Sequence, residues 1–262
     1  MNKIGVINHI TTWLKDYSDQ SGTKGFVLGI SGGIDSALTS TLAARTGKAT
    51  LCLEMPIHQE EGQDKRAAKH IDFLQRKFPN VSRVRVDLSP VYDSFVASLP
   101  SSSDENRAIS LVNTRARLRM TTLYYFAQLN GYLVAGTGNK VEDFGVGFFT
   151  KYGDGGVDLS PIADLVKTEV FALAGELGVD QEILDAAPTD GLWGDDRTDE
   201  DQIGASYPEL EWAMETIAKG EDEANDFSKR QNEVMAIYKR LNRINQHKMN
   251  PIPVCIIPDG LR

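Results

Sequence analysis

The stretch Gly25-Phe-Val-Leu-Gly-Ile-Ser-Gly-Gly-Ile-Asp-Ser36 decides the fold of this chain. Residues 25–30 are apolar without alternation, which is typical of a strand buried on both faces in a parallel sheet. A turn of small residues follows, and a helix is predicted from Ile34 to Arg45. A strand, a tight turn and a helix in this order present free N–H groups and the positive end of a helix dipole to an anion.

Similar units recur along the first part of the chain. Further strands are predicted at Ala49–Met55, Val81–Leu88 and Gly131–Gly136, and further helices at Ile4–Tyr17, Glu61–Lys77 and Ala108–Leu129. Their alternation predicts an α/β fold with a doubly wound parallel sheet. The remainder is predicted to be mostly helical, at Lys167–Leu177, Gln181–Ala186, Asp199–Lys219 and Asp222–Asn242. We expect one domain over residues 1–262, with a nucleotide-binding core over about 1–165 and a helical part with mobile loops over about 166–262.

Composition excludes several classes of protein. The chain has 262 residues, 25% of them charged, and a net charge of −9, which argues against a general nucleic-acid coat. No apolar stretch approaches the ~20 residues that cross a bilayer. The two cysteines, Cys52 and Cys255, have no metal-ligating neighbours at useful spacing, which predicts a reducing, cytoplasmic location and no zinc site.

Asp35 is an unusual residue to find inside an anion site. Its presence makes sense if a metal ion intervenes, and Mg²⁺ binds one or two carboxylates together with phosphate oxygens. A tight turn in which serine and aspartate only cap the helix remains the alternative. Other nucleotide motifs are missing, because Ala49 follows Gly47-Lys48 and position 141, where a third glycine would follow Gly136-Thr-Gly138, is valine.

Ser31–Ser36 matches the S-G-G-x-D-S loop of the ATP pyrophosphatases, which split ATP into AMP and pyrophosphate. Three further motifs narrow the resemblance: Asn113–Met120, Gly136-Thr137 with Glu142, and Gly147–Gly156. With them the chain resembles the ammonia-dependent NAD synthetases, from about the first strand to the C-terminus. The resemblance implies a carbon–nitrogen ligase that amidates deamido-NAD to NAD with ammonia, through an NAD-adenylate, and releases AMP and pyrophosphate.

The resemblance also implies an ATP site, formed by Gly29, Ile30, Ser31, Gly32, Gly33, Asp35, Ser36, Thr137, Lys167 and Thr189. Asp35 and Glu142 are the implied Mg²⁺ ligands, and Lys167 is implied to contact the phosphates. Asp35 and Lys167 are therefore the expected catalytic residues. On local sequence alone, Glu142 also fits a solvated carboxylate at a helix start, and Lys167 a surface lysine.

The implied deamido-NAD contacts are Arg117, Tyr124, Leu133, Phe148, Lys151, Asp154, His247 and Lys248. For Phe148 and Tyr124, core packing is an equally good interpretation. Arg115 and Arg119 share a helix face and Arg117 points elsewhere, so one set is expected to be only solvated. Many relatives have arginine where this chain has Glu54, so an arginine contact to ATP is missing or is supplied elsewhere.

The helix predicted at Ala108–Leu129 carries apolar residues around more than one face. We expect a symmetric homodimer, whose two-fold axis supplies a partner for the second face. The resemblance implies the same dimer, with Tyr124 and Leu133 reaching the partner's substrate. The alternative is that the C-terminal helices cover this face within one chain.

Two other functions fit the loop itself. One is a different ATP pyrophosphatase, such as a tRNA-modifying ligase, against which the net charge and the lack of an appended RNA-binding domain argue. The other is a nucleotide sensor without turnover, against which Glu142, Lys151 and Lys167 argue. We expect free ammonia to be the nitrogen source, because glutamine use requires a glutaminase domain with a nucleophilic thiol.

Overall fold

The fold is built on four parallel strands, seen in a computed structural model that describes residues 1–59, 61–189, 198–222 and 226–262. The strands are β1 Gly25–Gly29, β2 Ala49–Glu54, β3 Val81–Arg85 and β4 Leu133–Val134. Their order is β3-β2-β1-β4 and every pairing is parallel. The predicted α/β fold with a parallel sheet is thereby confirmed. The order reverses between β1 and β4, which is where open α/β sheets bind ligands.

Ten α-helices of the described residues surround and extend the sheet. They are α1 Lys3–Gln20, α2 Ile34–Arg45, α3 Glu61–Lys77, α4 Ser89–Ser98, α5 Arg107–Asn130, α6 Lys167–Leu177, α7 Gln181–Leu184, α8 Asp199–Ile203, α9 Tyr207–Ala218 and α10 Lys229–Met249. A π-helix spans Lys140–Val146, and a short 3-10 helix spans Asp259–Leu261. No helix in these described ranges is long and apolar enough to cross a membrane.

Strand β1 is buried on both faces, as its apolar run predicts. Phe26 and Leu28 pack into a core shared with α1, α2 and α6, whereas Val27 packs on the opposite side with α4 and α5. Successive side chains of a strand point to opposite faces, so one short strand joins both cores. The turn at the end of β1 is therefore held by packing on two sides.

A third apolar cluster joins the π-helix to the C-terminal helices. Val141 and Val146 pack with residues of α9 and α10, among them Leu210 and Val234. Two asparagine side chains of α10 add hydrogen bonds to carbonyls of the π-helix, at 2.7 and 2.8 Å. The C-terminal helices thus fix the position of the π-helix and of Glu142 within it.

The local sequence predicted the ends of some helices and strands correctly and those of others wrongly. Helices α2, α3 and α6 have the predicted bounds. The predicted strand at Val81–Leu88 is wrong beyond Arg85, since a separate helix, α4, begins at Ser89 with proline in its first turn. The fourth strand is shorter than predicted, and Ala135, just after it, forms an isolated bridge with Leu159.

The C-terminal half departs further from prediction. The helix predicted at Asp199–Lys219 is two helices, because Gly204 has a φ of 88° and ends the first. The helix predicted at Asp222–Asn242 instead begins after Ser228, whose side chain caps it, and it continues to Met249. Part of the region predicted to hold mobile loops, residues 190–197, lies outside the described residues.

Candidate active site

The loop between β1 and α2 has a geometry that only small residues allow. Gly32 has a φ of 81°, and a Cβ there would lie 2.6 Å from the carbonyl oxygen of Gln63. The Ser36 hydroxyl donates to the carbonyl of Gly33 at 3.0 Å, and the backbone N–H of Ser31 donates to that hydroxyl at 3.3 Å. Gly33 begins α2 without a side-chain cap, so the first turn keeps N–H groups for a ligand.

A cavity of about 480 Å³ opens above this loop, at the carboxyl ends of the strands. All of the predicted ATP and metal residues line it: Gly29, Ile30, Ser31, Gly32, Gly33, Asp35, Ser36, Thr137, Glu142, Lys167 and Thr189. Three predicted deamido-NAD residues, Phe148, Asp154 and Lys248, line it as well. Five others do not: Arg117, Tyr124, Leu133, Lys151 and His247.

Lys167 lies between two carboxylates at the centre of the cavity. Its Nζ is 2.6 Å from Oδ2 of Asp35 and 2.8 Å from Oε1 of Glu142. Lys167 is 2% exposed, which excludes the surface-lysine interpretation. Burial alone would lower its pKa, but the two carboxylates outweigh burial and raise the pKa of Lys167. The lysine is therefore a permanent cation at the point where the start of α2, the π-helix and the start of α6 meet.

The two carboxylates differ in their proton affinity. Burial raises the pKa of Asp35, and Lys167 only partly offsets that effect. Burial also opposes ionisation of Glu142, but Lys167 and the hydroxyl of Tyr207 more than compensate, so the pKa of Glu142 is lowered. Glu142 is therefore an ionised carboxylate that Lys167 and Tyr207 stabilise. It is not the solvated carboxylate at a helix start that the local sequence also allowed.

Two residues that hold this cluster are absent from the sequence prediction. Asn139 is fully buried, and its Oδ1 accepts from the N–H groups of Val141 and Glu142 at 3.1 Å each. Its Nδ2 donates to Oδ1 of Asp35 at 3.2 Å. An asparagine just before a helix start is a capping signal that could have identified it. The Tyr207 hydroxyl donates to Glu142 from 65 positions away, a contact that no local pattern predicts.

Asp143 is a further carboxylate that sequence reasoning missed. It lines the cavity against Gly138, where a Cβ would come within 1.9 Å of its Oδ2. Burial and the neighbouring carboxylates Glu142, Asp154 and Asp35 raise the pKa of Asp143 well above its usual range. The second glycine of Gly136-Thr-Gly138 therefore makes room for a carboxyl group.

The chemistry of the cluster formed by Asp35, Glu142 and Lys167 is compatible with a bound magnesium ion. Carboxylate oxygens of Asp35 and Glu142 both face Lys167, and Mg²⁺ binds one or two carboxylates plus phosphate oxygens. Among the described residues no group of three or more acidic, histidine or cysteine side chains forms a ready metal cage. The donor set thus suits an ion that arrives with a phosphorylated ligand.

A lysine from the last helix shapes the other end of the cavity. Lys248 Nζ donates to the carbonyls of Gly147 and Phe149, at 2.6 and 2.8 Å. Oδ1 of Asp154 accepts from the N–H of Thr150 at 3.0 Å. Burial lowers the pKa of Lys248 and raises that of Asp154. These bonds fix the loop of residues 147–156 between α5 and α10.

The five remaining predicted contacts lie outside the cavity wall. The Tyr124 hydroxyl donates to Oδ1 of Asp158 at 2.9 Å, and Leu133 pairs with Phe26 in the sheet. Arg117 Nε donates to the carbonyl of Lys151 at 3.4 Å, and Lys151 Nζ donates to the carbonyl of His247. One chain therefore does not bring these side chains to the cavity, and their role stays a prediction.

Glu54 stands where the resemblance implies an arginine, and it is itself bound by other arginines. Its carboxylate is 2% exposed and receives Nε and Nη2 of Arg83 at 2.5 and 2.8 Å. Arg119 reaches the same end of β2, where its Nε donates to the carbonyl of Met55 at 3.0 Å. Arg119 and Arg66 both line the cavity, so either guanidinium is placed to supply the contact that the missing arginine would make.

Comparison with known proteins gives a consistent result. The sequence profile of the NAD synthase family matches residues 6–252. The NH3-dependent NAD+ synthetase of Carboxydothermus hydrogenoformans is 38% identical over 244 residues, which cover 91% of this chain and 92% of that protein. The structure of an NMN synthetase from Francisella tularensis superposes with a TM-score of 0.83 at 32% identity, covering 99% of each chain. An NH3-dependent NAD synthetase from Campylobacter jejuni superposes with a TM-score of 0.79 at 25% identity, covering 98% of this chain and all of that one.

Proposed function

This chain belongs to the NAD synthase family, and on that premise we propose that it is an ammonia-dependent ligase that converts deamido-NAD to NAD with ATP. The observation that carries the proposal is Lys167 held between Asp35 and Glu142 beside the Ser31–Ser36 loop. That arrangement places one cation and two carboxylates where a helix N-terminus receives phosphate.

The first step joins two anions. An oxygen of the nicotinate carboxylate attacks the α-phosphorus of ATP, the bond to the β-phosphate oxygen breaks, and pyrophosphate leaves. The loop N–H groups orient the phosphates, and Lys167 offsets their negative charge. Mg²⁺ bound by Asp35 and Glu142 would add charge neutralisation at the departing pyrophosphate.

The second step forms the amide. The lone pair of ammonia attacks the carbonyl carbon of the adenylate, the bond from that carbon to the AMP oxygen breaks, and a proton is released. Phe148 and Asp154 also line the cavity, and the nicotinate is proposed to lie beside them. The loop of residues 147–156, tied down by Lys248, shields this carbon from water that would compete with ammonia.

The homodimer is part of the proposal. Helix α5 exposes Tyr125 and Leu129, at 62% and 65%, although its other side packs on the sheet. A two-fold axis against this face would cover it. It would also bring Tyr124 and Leu133 of one chain toward the partner's dinucleotide, which supports a site completed by two chains. Both cysteines are free, which supports a reducing, cytoplasmic location.

The nicotinate mononucleotide is a second candidate substrate. The similar structure from Francisella tularensis is described as an NMN synthetase, and the corresponding substrate would be the nicotinate mononucleotide. Its reacting carboxylate is the same, and only the adenylyl half is missing. Tyr124 and Leu133, which are expected to reach the partner's dinucleotide, do not line the cavity of one chain. This observation favours the mononucleotide if the chain acts as a monomer.

The experiment is to measure AMP formed by the purified chain with ATP, Mg²⁺ and ammonium. Parallel reactions contain deamido-NAD, the nicotinate mononucleotide or neither. We expect AMP with deamido-NAD at the highest kcat/KM, and none without a nicotinate substrate. A higher kcat/KM with the mononucleotide would favour the second substrate. AMP formation that ignores both compounds would indicate a different ATP pyrophosphatase, and no AMP in any reaction would indicate a sensor.

A further inference from the structure

Arg66 lines the cavity from helix α3, next to the loop of residues 31–36. The helix packs directly on that loop, because a Cβ at Gly32 would lie 2.6 Å from the carbonyl oxygen of Gln63 and 3.3 Å from Cβ of Arg66. Nε of Arg66 donates to the carbonyl of Gly32 at 3.3 Å. The guanidinium is therefore anchored at the loop that is proposed to receive phosphate.

The guanidinium has donors that the chain leaves for a ligand. Arginine has five N–H groups, and the one on Nε is bound to Gly32. Within the part of the chain that the structure describes, neither Nη atom of Arg66 makes a hydrogen bond and no carboxylate forms an ion pair with it. The neighbours on the same face of α3, three and four positions away, have no carboxylate: Gly62, Gln63, Lys69 and His70. Two Nη groups at the end of a planar guanidinium can bind two oxygens of one phosphate.

The carboxylates of α3 are engaged by arginines of β3. Nη2 of Arg85 is 2.6 Å from Oδ2 of Asp64, and Nη1 of Arg83 is 3.1 Å from Oδ1 of Asp72. Both arginines also reach the buried carboxylate of Glu54, at 2.5 and 3.5 Å. This network joins α3 to β2 and β3. The glutamate at position 54 therefore helps to hold the helix that carries the cavity guanidinium.

Other cations of the cavity are engaged by protein groups. Lys167 lies between Asp35 and Glu142, so these three groups have no surplus positive charge when both carboxylates are ionised. Lys248 donates to two loop carbonyls, and Arg119 donates to one carbonyl and to a glutamine oxygen. A triphosphate carries several negative charges, which cations must offset as the bond breaks. Arg66 adds a positive charge that no ion pair of the described residues offsets.

We propose that Arg66 binds the β,γ-phosphate part of ATP, which leaves as pyrophosphate, through its two Nη groups. The inference rests on the proposed function and adds a residue to that same site. The α-phosphorus must face the nicotinate, which is proposed to lie beside Phe148 and Asp154. The part of ATP that is bound at the loop, where Arg66 is anchored to Gly32, is therefore the pyrophosphate part.

The bond from Arg66 also fixes the loop itself. The peptide between Gly32 and Gly33 is planar and trans, so its C=O and N–H point in opposite directions. The C=O accepts from Nε of Arg66, and the N–H donates to Oγ of Ser31 at 3.2 Å. A phosphate on the Nη groups would thus bridge α3 and the loop through one side chain.

The test is calorimetric titration of the purified chain with pyrophosphate, ATP and AMP, in Mg²⁺ and without a nicotinate substrate. Arg66→Met keeps an apolar stem but removes every donor of the guanidinium. We expect the Kd values for pyrophosphate and ATP to rise about 10- to 100-fold, and that for AMP to change less than about threefold. Arg66→Lys should recover only part of the affinity, because an ammonium does not offer the two-pronged contact.

Arg76→Met is the matched control, since it makes the same change at an exposed position of the same helix, about 15 Å further along. It should leave all three Kd values within about threefold. Unchanged binding of pyrophosphate in Arg66→Met would overturn the inference. An equal loss of AMP affinity would also overturn it, because the arginine would then only shape the cavity. If Arg66→Met does not fold, as judged by circular dichroism, Arg66→Lys decides: an unchanged Kd for pyrophosphate overturns the inference.

Binding and reaction test separate claims. The titrations need no nicotinate substrate, so they test Arg66 even if deamido-NAD gives no AMP and the proposed function fails. In an active enzyme, Arg66→Met should raise the KM for ATP about tenfold or more and change the KM for deamido-NAD less than about threefold. Normal AMP formation together with unchanged pyrophosphate binding would leave the reaction standing and overturn only the role of Arg66.

Discussion

The two ends of the cavity differ in how much of their chemistry a single chain completes. At the loop end, Lys167, Asn139 and Ser36 are buried, and each has partners within hydrogen-bond distance. At the nicotinate end, Lys151 and His247 contact each other instead of the cavity. The difference teaches that one chain positions the groups proposed to bind ATP, whereas it does not bring all of the groups proposed to bind the dinucleotide to the cavity.

The physical reason lies in the chain segments that form each end. The loop end is framed by β1, α2 and α6, which share one apolar core. The other end is framed by the cavity-lining side of α5, with Asn113 and Met120, and by the end of α10, with Asn245 and Lys248. These segments belong to different parts of the chain, so their side chains are positioned by packing between distant elements rather than by one shared core.

The largest effect is expected at the loop end. Asp35→Asn and Glu142→Gln keep the shape of each side chain but remove its charge. Loss of one such electrostatic contact typically costs about 10²–10³ in rate, so we expect kcat to fall by that factor while the fold persists. Steady-state kinetics with circular dichroism as the folding check measures both.

Asp164→Asn is the matched control, because that carboxylate is 97% exposed and pairs only with Lys140 among the described residues. It should retain nearly full activity. Near-normal activity in Glu142→Gln would show that Glu142 has only a structural role. It would also contradict the larger effect on kcat that we expect from changes at the loop end.

A smaller effect is expected at the nicotinate end. Lys248→Met removes two hydrogen bonds from an ammonium to loop carbonyls, and bonds to charged groups contribute about 1.5–3 kcal/mol. We expect the KM for deamido-NAD to rise about tenfold or more, with the KM for ATP changed less than about threefold. Lys229→Met, on the same helix with its side chain 93% exposed, is the control. An equal rise in both KM values would show that the two ends are not independent.

Acid should weaken the loop end through His70, which packs behind it. His70 is 1% exposed, its Nε2 lies 2.9 Å from Oγ of Ser40, and that hydroxyl donates to the carbonyl of Ser36 at 2.7 Å. Burial lowers the pKa of His70 to about 4. The unfolded chain takes up this proton below about pH 6.5 and the folded chain only near the lowered value, so stability falls as pH drops through that window.

The expected loss is about 2 kcal/mol of unfolding free energy at pH 5 relative to pH 7. In His70→Gln this part of the pH dependence should disappear in urea titrations. His9→Gln, at an exposed position of α1, should leave the pH dependence unchanged. The same slope in His70→Gln and in the parent chain would contradict a neutral, buried histidine.

The smallest effect is expected from the cysteines. Cys52 is fully buried in β2, where burial raises its pKa to about 12, and Cys255 is exposed in the segment after α10. Neither thiol is placed as a nucleophile, so replacing both by serine should leave ammonium-driven synthesis largely unchanged. Assays with ammonium and with glutamine make the comparison. Efficient synthesis from glutamine by the purified chain would contradict free ammonia as the nitrogen source.

The sequence predicted most of the loop end because its signals are local. Gly32 with a positive φ, the buried strand before it and helix α2 all lie within twenty-odd consecutive residues. The resemblance then supplied Lys167 and Glu142, whose burial and distances only the structure gives.

The sequence could not predict contacts that depend on distant packing. Tyr207 reaches Glu142 only because α9 packs on the π-helix, and a π-helix has no periodic signature in an apolar pattern. The ends of α10 were also predicted wrongly, because an acidic, helix-compatible run before Ser228 outweighed the capping signal at Ser228. The position of His247, and of Lys151 that contacts it, depends on how far α10 extends, so their part of the site stays a prediction.

The measurement that tests the central claim most directly is the stoichiometry of ATP cleavage during NAD formation. The loop of residues 31–36, which lacks the Walker lysine, is proposed to direct cleavage between the α- and β-phosphates. Nucleotides and phosphates are quantified together with NAD as ammonium is consumed. We expect AMP and pyrophosphate in step with each NAD formed. Accumulation of ADP and free phosphate instead would contradict the assignment of both the loop and the reaction.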